Sequence, residues 1–255
     1  MIHLEHIPYT AANLDPAGRI GLVMLASDYT IESEMHDLIG EFPGLGLYGN
    51  RIHNDDQVTP ETLRAMAPRI TTTVEDILPG GHLDVVAYAC TSATMAIGED
   101  EVFARIRAAR PGTACTTPIT GAMAAFAAFG ARRVGVLTPY RGDVNEIVAA
   151  YITARGVEVP VFGTFNEESD AAVATISLDS VRAGIARLLE AATVDAVFVS
   201  CTSVRLAAHV AALEAEFGLP VTSSNHSMAW HAVRLAGVAT ARPELGRLYA
   251  HSLIE

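Results

Sequence analysis

One nine-residue pattern occurs twice in this chain, and that repetition limits its folds more than any other feature. Asp84-Val85-Val86-Ala87-Tyr88-Ala89-Cys90-Thr91-Ser92 and Asp195-Ala196-Val197-Phe198-Val199-Ser200-Cys201-Thr202-Ser203 share D-x-V-x-x-x-C-T-S. A looser echo follows each copy: Pro111-Gly112-Thr113-Ala114-Cys115-Thr116-Thr117 and Gly218-Leu219-Pro220-Val221-Thr222-Ser223-Ser224. A third pairs Leu25-Ala26-Ser27-Asp28 with Leu137-Thr138-Pro139-Tyr140. Two similar halves related by duplication account for all three. The break falls between Cys115 and Arg133, and no low-complexity linker separates the halves, so they should pack tightly.

Strand-like runs alternate with helical patterns throughout. Buried strands are expected at Arg19–Leu25, Asp84–Ala89, Thr113–Thr116, Arg133–Thr138, Val159–Phe162 and Ala196–Val199. Thr59-Pro60-Glu61 is a helix start, with an N-cap hydroxyl, proline at the first position and an acid on the positive dipole end. That helix should run to about Ile77. Further helices are expected near 101–109, 143–154, 180–192, 206–217 and 228–235, with an Ala-rich one between Thr116 and Arg133. This alternation implies an α/β fold of two similar Rossmann-like lobes with parallel sheets covered on both faces. The expected lobes are 1–120 and 121–225, with the C-terminal helix in 226–255 packing back on the first.

The composition narrows the function. Of 255 residues, 50% are hydrophobic and 18% charged, which suits a large core. Seventeen Lys plus Arg against 29 Asp plus Glu give a charge of −12, a surface that repels phosphate backbones and anionic lipid. Neither nucleic acid nor membrane is therefore expected as a partner. Three cysteines make no disulfide framework and suit a reducing cytoplasm. The start, Met1-Ile2-His3-Leu4-Glu5-His6, has no basic n-region or apolar h-region, and no apolar run reaches the ~20 residues that span a bilayer.

In open parallel sheets, ligands sit beyond the carboxyl ends of strands, where helix N-termini present free N–H groups. Both Cys-Thr-Ser triplets fall there. A thiol so placed is expected to be acidified by the local positive potential. Adjacent hydroxyls and amides could bind a carboxylate or stabilise an enediolate. A cysteine after a valine-rich strand is usually just a small buried hydrophobe, but finding the triplet at equivalent places in both halves argues for chemistry. Cys115 lacks that equivalence and reads as a core residue.

Other motifs are weaker. Gly44-Leu45-Gly46-Leu47-Tyr48-Gly49 fits G-x-G-x-x-G but precedes a strand-like stretch instead of joining strand to helix, so no dinucleotide is expected. His226 and His231 lack the i,i+4 spacing of a helical ligand pair, so no metal is expected. Neither a G-x-S-x-G elbow nor a P-loop is present. Glu167-Glu168-Ser169-Asp170 reads as a solvated loop, with Asp170 kept as a site candidate.

Ala89-Cys90-Thr91-Ser92, Leu137-Thr138-Pro139-Tyr140, Ser200-Cys201-Thr202-Ser203 and Pro220-Val221-Thr222-Ser223-Ser224 resemble the Asp/Glu racemase superfamily. Within it the chain is most similar to maleate cis-trans isomerases and their relatives in ectoine-utilization gene sets. The resemblance implies two lobes related by a pseudo-twofold axis, with the active site between them and no cofactor. It assigns Cys90 as nucleophile, Cys201 as acid/base and Tyr140 to the substrate carboxylate, with Thr91, Ser92, Thr202 and Ser203 as substrate-binding neighbours. Arylmalonate decarboxylases, related to these isomerases, keep only the second cysteine. Two positions depart from the maleate pattern: Asp28 and Asp170 stand where those isomerases carry asparagine. An amide can donate to a carboxylate; an ionised Asp cannot. Asp28 also suits a helix N-cap.

Thiolate addition turns the C=C bond of a cis enedioate into a single bond that can rotate before the thiolate leaves. The same thiols on opposite faces of a C–H carbon would run a two-base racemisation, titrating as a unit. The expected activity is thus a cofactor-independent two-cysteine isomerase of a small carboxylic acid, of maleate cis-trans isomerase type. The two Asp substitutions raise the alternative of a racemase or epimerase acting on an amino acid from ectoine breakdown, such as a diaminobutyrate or its acetyl form. An arylmalonate-type decarboxylase or a non-catalytic two-lobed binding protein is less well supported. A homo-oligomer remains a possibility.

Overall fold

The structure is a computed structural model that describes residues 2–55, 57–167 and 169–254. Eight strands lie among those residues: β1 (Gly18–Leu25), β2 (Leu45–Ile52), β3 (Val85–Ala89), β4 (Ala114–Thr116), β5 (Arg133–Thr138), β6 (Glu158–Thr164), β7 (Ala196–Val199) and β8 (Val221–Ser223). They form two four-stranded sheets, ordered β2-β1-β3-β4 and β6-β5-β7-β8, and every pairing is parallel. The three sequence echoes map onto β3 and β7, β4 and β8, and β1 and β5, each pair holding the same place in its own sheet.

The central strands are apolar on both faces because helices cover both faces. All residues of β3 and β7 are buried, whereas the edge strands β2 and β6 are only partly covered. The repeated Asp has a structural role. Asp84 Oδ2 accepts the amide of Arg19 at 2.7 Å, and Asp195 Oδ2 accepts those of Arg132 and Arg133 at 2.9 Å. Each carboxylate thereby fixes the start of the neighbouring central strand, away from the thiols.

The helices are α1 (Ile31–Gly40), α2 (Pro60–Arg64), α3 (Ile70–Glu75), α4 (Thr91–Ile97), α5 (Glu99–Ala109), α6 (Pro118–Phe129), α7 (Gly142–Thr153), α8 (Asp170–Val173), α9 (Leu178–Ala191), α10 (Val210–Phe217) and α11 (Ser224–Leu235). Side-chain hydroxyls of Thr59, Thr117, Ser177 and Ser223 cap α2, α6, α9 and α11. None of the helices is long and apolar enough to cross a membrane. Helices α6 and α11, which follow the last strand of each sheet, pack against one another at the centre of the molecule. Their approach is so close that a Cβ at Gly121 would lie 2.6 Å from the carbonyl oxygen of Ser227.

Three expectations need correction, and a fourth, a helix start at the first Cys-Thr-Ser triplet, is met. The glycine-rich run 44–49 forms most of β2 and does not precede a strand. The helix starting at Thr59 does not continue to Ile77: it ends at Arg64, a 3-10 turn spans Ala67–Arg69 with Pro68 inside it, and α3 follows. Proline has no N–H to continue the ladder, so the break falls there. A separate helix, α4, starts immediately after Cys90. No helix starts after Cys201, because residues 202–204 turn and the next helical element is a short 3-10 stretch at Ala207–His209.

Candidate active site

The carboxyl ends of β1, β3, β5 and β7 converge on one narrow, partly open cavity of about 20 Å³, lined by parts of both halves. Its wall includes Cys90, Thr91 and Ser92 from the end of β3, Cys201 and Thr202 from the end of β7, Tyr140 after β5, and Asp170 at the start of α8. Two residues from the expected set are not on the wall. Ser203 lies behind it, with its hydroxyl donating to Asp170 Oδ1 at 3.0 Å. Asp28 is 2% exposed, and its Oδ1 accepts the amides of Thr30 and Ile31 at 2.8 and 2.9 Å. These bonds fix the turn that leads into α1, but the N-cap position is Thr30, whose side chain makes no capping bond, so Asp28 is not the N-cap expected of it. Asp28 Oδ2 is buried; burial raises the pKa of this carboxyl, and the Thr202 hydroxyl and the Ile31 and Thr30 amides work against that rise. Glu168 lies outside the described residues.

The two thiols share a cavity but not a backbone shape. Cys90 is the N-cap residue of α4, with φ −146° and Sγ 3.8 Å from Ser92 Oγ. Cys201 has φ +113°, a region that L side chains rarely enter. The expectation of acidified thiols is overturned. Burial pushes Cys90 up to about 12, outweighing the Ala93 amide and the Ser92 hydroxyl, which favour the thiolate. Burial likewise pushes Cys201 well above the ordinary thiol range; the carboxylate of Asp170 adds to this, against the Ser203 amide and the Tyr140 hydroxyl. At Cys90 desolvation exceeds the helix-end potential of α4, and at Cys201 no helix end opposes it. Cys115 sits in β4 and is also free and buried.

Tyr140 is fixed from both sides. Its amide donates to Thr138 Oγ1 at 3.2 Å, and its carbonyl accepts from Asn145 Nδ2 at 2.7 Å. This accounts for the Thr-Pro-Tyr sequence at the end of β5. Burial first, and then the charges the two thiols would carry, raise its pKa well above the usual value, so its hydroxyl is a donor at neutral pH. Asp170 accepts the hydroxyl of Ser27 at 2.5 Å from the opposite half.

The roof comes from a segment that sequence reasoning missed. Asn54, Asp55, Gln57 and Val58 after β2, and Thr62, Leu63 and Met66 around α2, close the cavity. Asn54 is held down by Ser27, whose amide donates to its Oδ1 at 3.2 Å and whose hydroxyl accepts from its Nδ2 at 2.8 Å. With the run 44–49 read as preceding a strand instead of forming β2, nothing in the sequence placed the following segment over the thiols. Among the described residues no lysine, arginine or histidine lines the cavity. Among the described residues there is no group of three His, Cys, Asp or Glu arranged to hold a metal.

Residues 55–249 match the family model for arylmalonate decarboxylase. The chain belongs to that family. Its relatives include enzymes of two names. A maleate isomerase of Nocardia farcinica is 31% identical over 240 residues, 90% of this chain and 94% of that protein. An arylmalonate decarboxylase of Bordetella bronchiseptica is 37% identical over 147 residues, 55% of this chain and 60% of that protein. In three dimensions the fold superposes on a cysteine-to-serine mutant of the Nocardia farcinica maleate cis-trans isomerase carrying a covalently bound succinylcysteine intermediate. That match has a TM-score of 0.82 at 28% identity and covers 91% of this chain and 98% of the other. The family fold therefore extends across both sheets.

Proposed function

We propose that this chain is a cofactor-independent two-cysteine isomerase of a small carboxylic acid, of maleate cis-trans isomerase type. The observation that carries this reading is the presence of both repeated thiols, Cys90 and Cys201, on the wall of one narrow cavity between the two sheets. The lobes are taken as 1–120 and 121–225, with the C-terminal helix packing back on the first. Three free, buried cysteines suit work in a reducing cytoplasm.

In the proposed cycle Cys90, its proton first lost to solvent, adds as thiolate to one alkene carbon while Cys201 delivers its proton to the other, giving a succinyl thioether. The former double bond rotates. Cys201, now a thiolate, takes a proton back from the carbon it protonated, the C–S bond breaks, and the trans diacid leaves. Atoms and charge balance without a cofactor. The hydroxyls of Thr91, Ser92, Thr202 and Tyr140 offer donors to carboxylate oxygens, and Ser203 acts one step back, through Asp170. The cavity holds about one water, so the roof has to yield before a four-carbon acid enters.

One observation favours a second reading. Asp55 and Asp170 place carboxylates on the wall, Asp28 lies behind it, and no cation lines it. Such a cavity repels a dianion and favours a substrate with an ammonium group, as in racemisation of an amino acid from ectoine breakdown; this is the reading under which the chain would sit in the ectoine-utilization branch. NMR of the enzyme in D₂O with maleate, aspartate, glutamate, diaminobutyrate and its acetyl forms separates the two. Maleate becoming fumarate supports the first reading; deuterium entering an amino acid α-carbon supports the second, and no reaction with any of them contradicts both. Asp170→Asn, which exchanges an anion for an amide donor, is expected to raise kcat/KM on maleate severalfold. A fall on maleate would mean that Asp170 matters as the acceptor for Ser27 and Ser203.

A further inference from the structure

The repeat fails at the backbone of the two thiols: Cys90 and Cys201 are both followed by Thr-Ser but have backbone angles of opposite sign, φ −146° and +113°. A positive φ brings the Cβ of an L residue against its own peptide and persists only where the surroundings hold it. The surroundings of Cys201 come from the first two residues of α11. The Cys201 amide donates to Ser224 Oγ at 2.9 Å. One peptide on, the Thr202 carbonyl accepts from Asn225 Nδ2 at 2.8 Å. The Ser224 hydroxyl also meets Thr91 Oγ1 at 2.8 Å, so a single side chain joins the residue after one thiol to the backbone of the other. Ser224 is fully buried and is not on the cavity wall.

The other half shows the converse. Helix α6, the counterpart of α11, has Thr117 at its N-cap where α11 has Ser223, and Pro118 at its first position where α11 has Ser224. Proline offers neither hydroxyl nor N–H, and the thiol of that half has an ordinary backbone. The asymmetry of the two helix starts thus matches the asymmetry of the two thiols. We propose that Ser224 is a positioning residue that holds Cys201 in its left-handed conformation and couples it, through Thr91, to the Cys90 loop. The inference rests on the two-thiol reading and explains how duplicated triplets could take different chemical roles.

The test is Ser224→Ala beside Ser227→Ala as a matched control. Ser227 is equally buried on the same helix, but its hydroxyl donates to the carbonyl of Ser223 at 2.8 Å. Iodoacetamide labelling of each cysteine is followed by peptide mass spectrometry at pH 8, with melting temperature and maleate kinetics measured in parallel. Ser224→Ala is expected to raise labelling of Cys201 at least ~5-fold and leave Cys115 unchanged, because the released loop relaxes toward negative φ. Its kcat should fall about tenfold with KM within about threefold, the pattern for a misplaced reacting group. Ser227→Ala should change neither labelling nor kcat. Cys201 labelling within twofold of wild type, or equal acceleration of all three cysteines, overturns the proposal. If Ser224→Ala does not fold, Thr91→Val cuts the far end of the bridge and also removes a proposed substrate donor, so labelling alone is read: Cys201 labelling should still rise at least twofold, and no change there overturns the coupling. Labelling that shifts as expected in a protein that never converts maleate places the failure in the functional reading, not in the role of Ser224.

Discussion

A thiol adds to an alkene only as its thiolate, and in this cavity burial holds both active-site candidates protonated. A raised thiol pKa leaves the neutral form dominant below it, so reactivity climbs with pH. Labelling of Cys90 by iodoacetamide should therefore rise about tenfold per pH unit from pH 7 to 10, past the ~8.5 at which an ordinary thiol levels off. A plateau near that value would mean that solvent reaches the thiol in solution. Cys90→Ser and Cys201→Ser should each lower turnover by at least ~10³, since each removes a group acting in bond making or proton transfer. Cys115→Ser should keep its activity. Near-wild-type turnover in either active-site variant would sink the two-thiol cycle.

Helix α11 concentrates the buried polar groups at the level of single elements. His226 bonds Thr222 Oγ1 and the Leu245 carbonyl, and His231 bonds Thr116 Oγ1. Burial pushes both down to about 4, well under the usual 6.5. The unfolded chain therefore binds more protons between pH 6.5 and 4, and their contribution to stability is lost as pH falls through that window. Burial raises Asp28, Glu34 and Glu214, which act with the opposite sign, so variant must be compared with wild type. Between pH 7 and 5, His231→Gln should lose less stability to acid than wild type by about 1–2 kcal/mol in urea titrations. Equal losses would mean that His231 is protonated in the fold. Legibility in the sequence also divides by element. Strands β1, β3, β5 and β7 were visible as valine-, isoleucine- and leucine-rich runs because both faces are buried. Strand β2 was hidden because Gly46 and Gly49 sit where side chains of Asp15, Tyr48 and Met24 fill the space a Cβ would need. Helix α4 was legible only as a helix start at the Cys-Thr-Ser triplet and not in its length, because hydroxyl residues are poor helix formers and are held in its first turn by tertiary contacts such as Thr91 with Ser224.

Across the whole molecule, the repeat made two lobes and paired thiols legible, because duplication leaves its mark in sequence. The joints between lobes did not show, because they rest on long-range pairs with no local signature. Glu34 is the clearest of these. It lies on α1, yet its Oε1 accepts the amides of Leu206 and Ala207 at 2.7 and 2.8 Å, and its Oε2 accepts Asn225 Nδ2 at 2.7 Å. One carboxylate from the first half thus holds the segment after Thr202 and steadies the Asn225 amide on the Thr202 carbonyl. Glutamine at this position could still accept the two backbone amides, but its own NH₂ would face the NH₂ of Asn225. A flip of Asn225 would offer its Oδ1, which has no partner in the native arrangement, but would withdraw the donor from Thr202. Either outcome leaves a buried group unsatisfied. Glu34→Gln should therefore cost about 1–3 kcal/mol in urea unfolding. Its kcat should fall more than its KM changes, because the loop bearing Cys201 loses one of its supports. Loss of stability with kcat intact would make Glu34 a joint between lobes and nothing more.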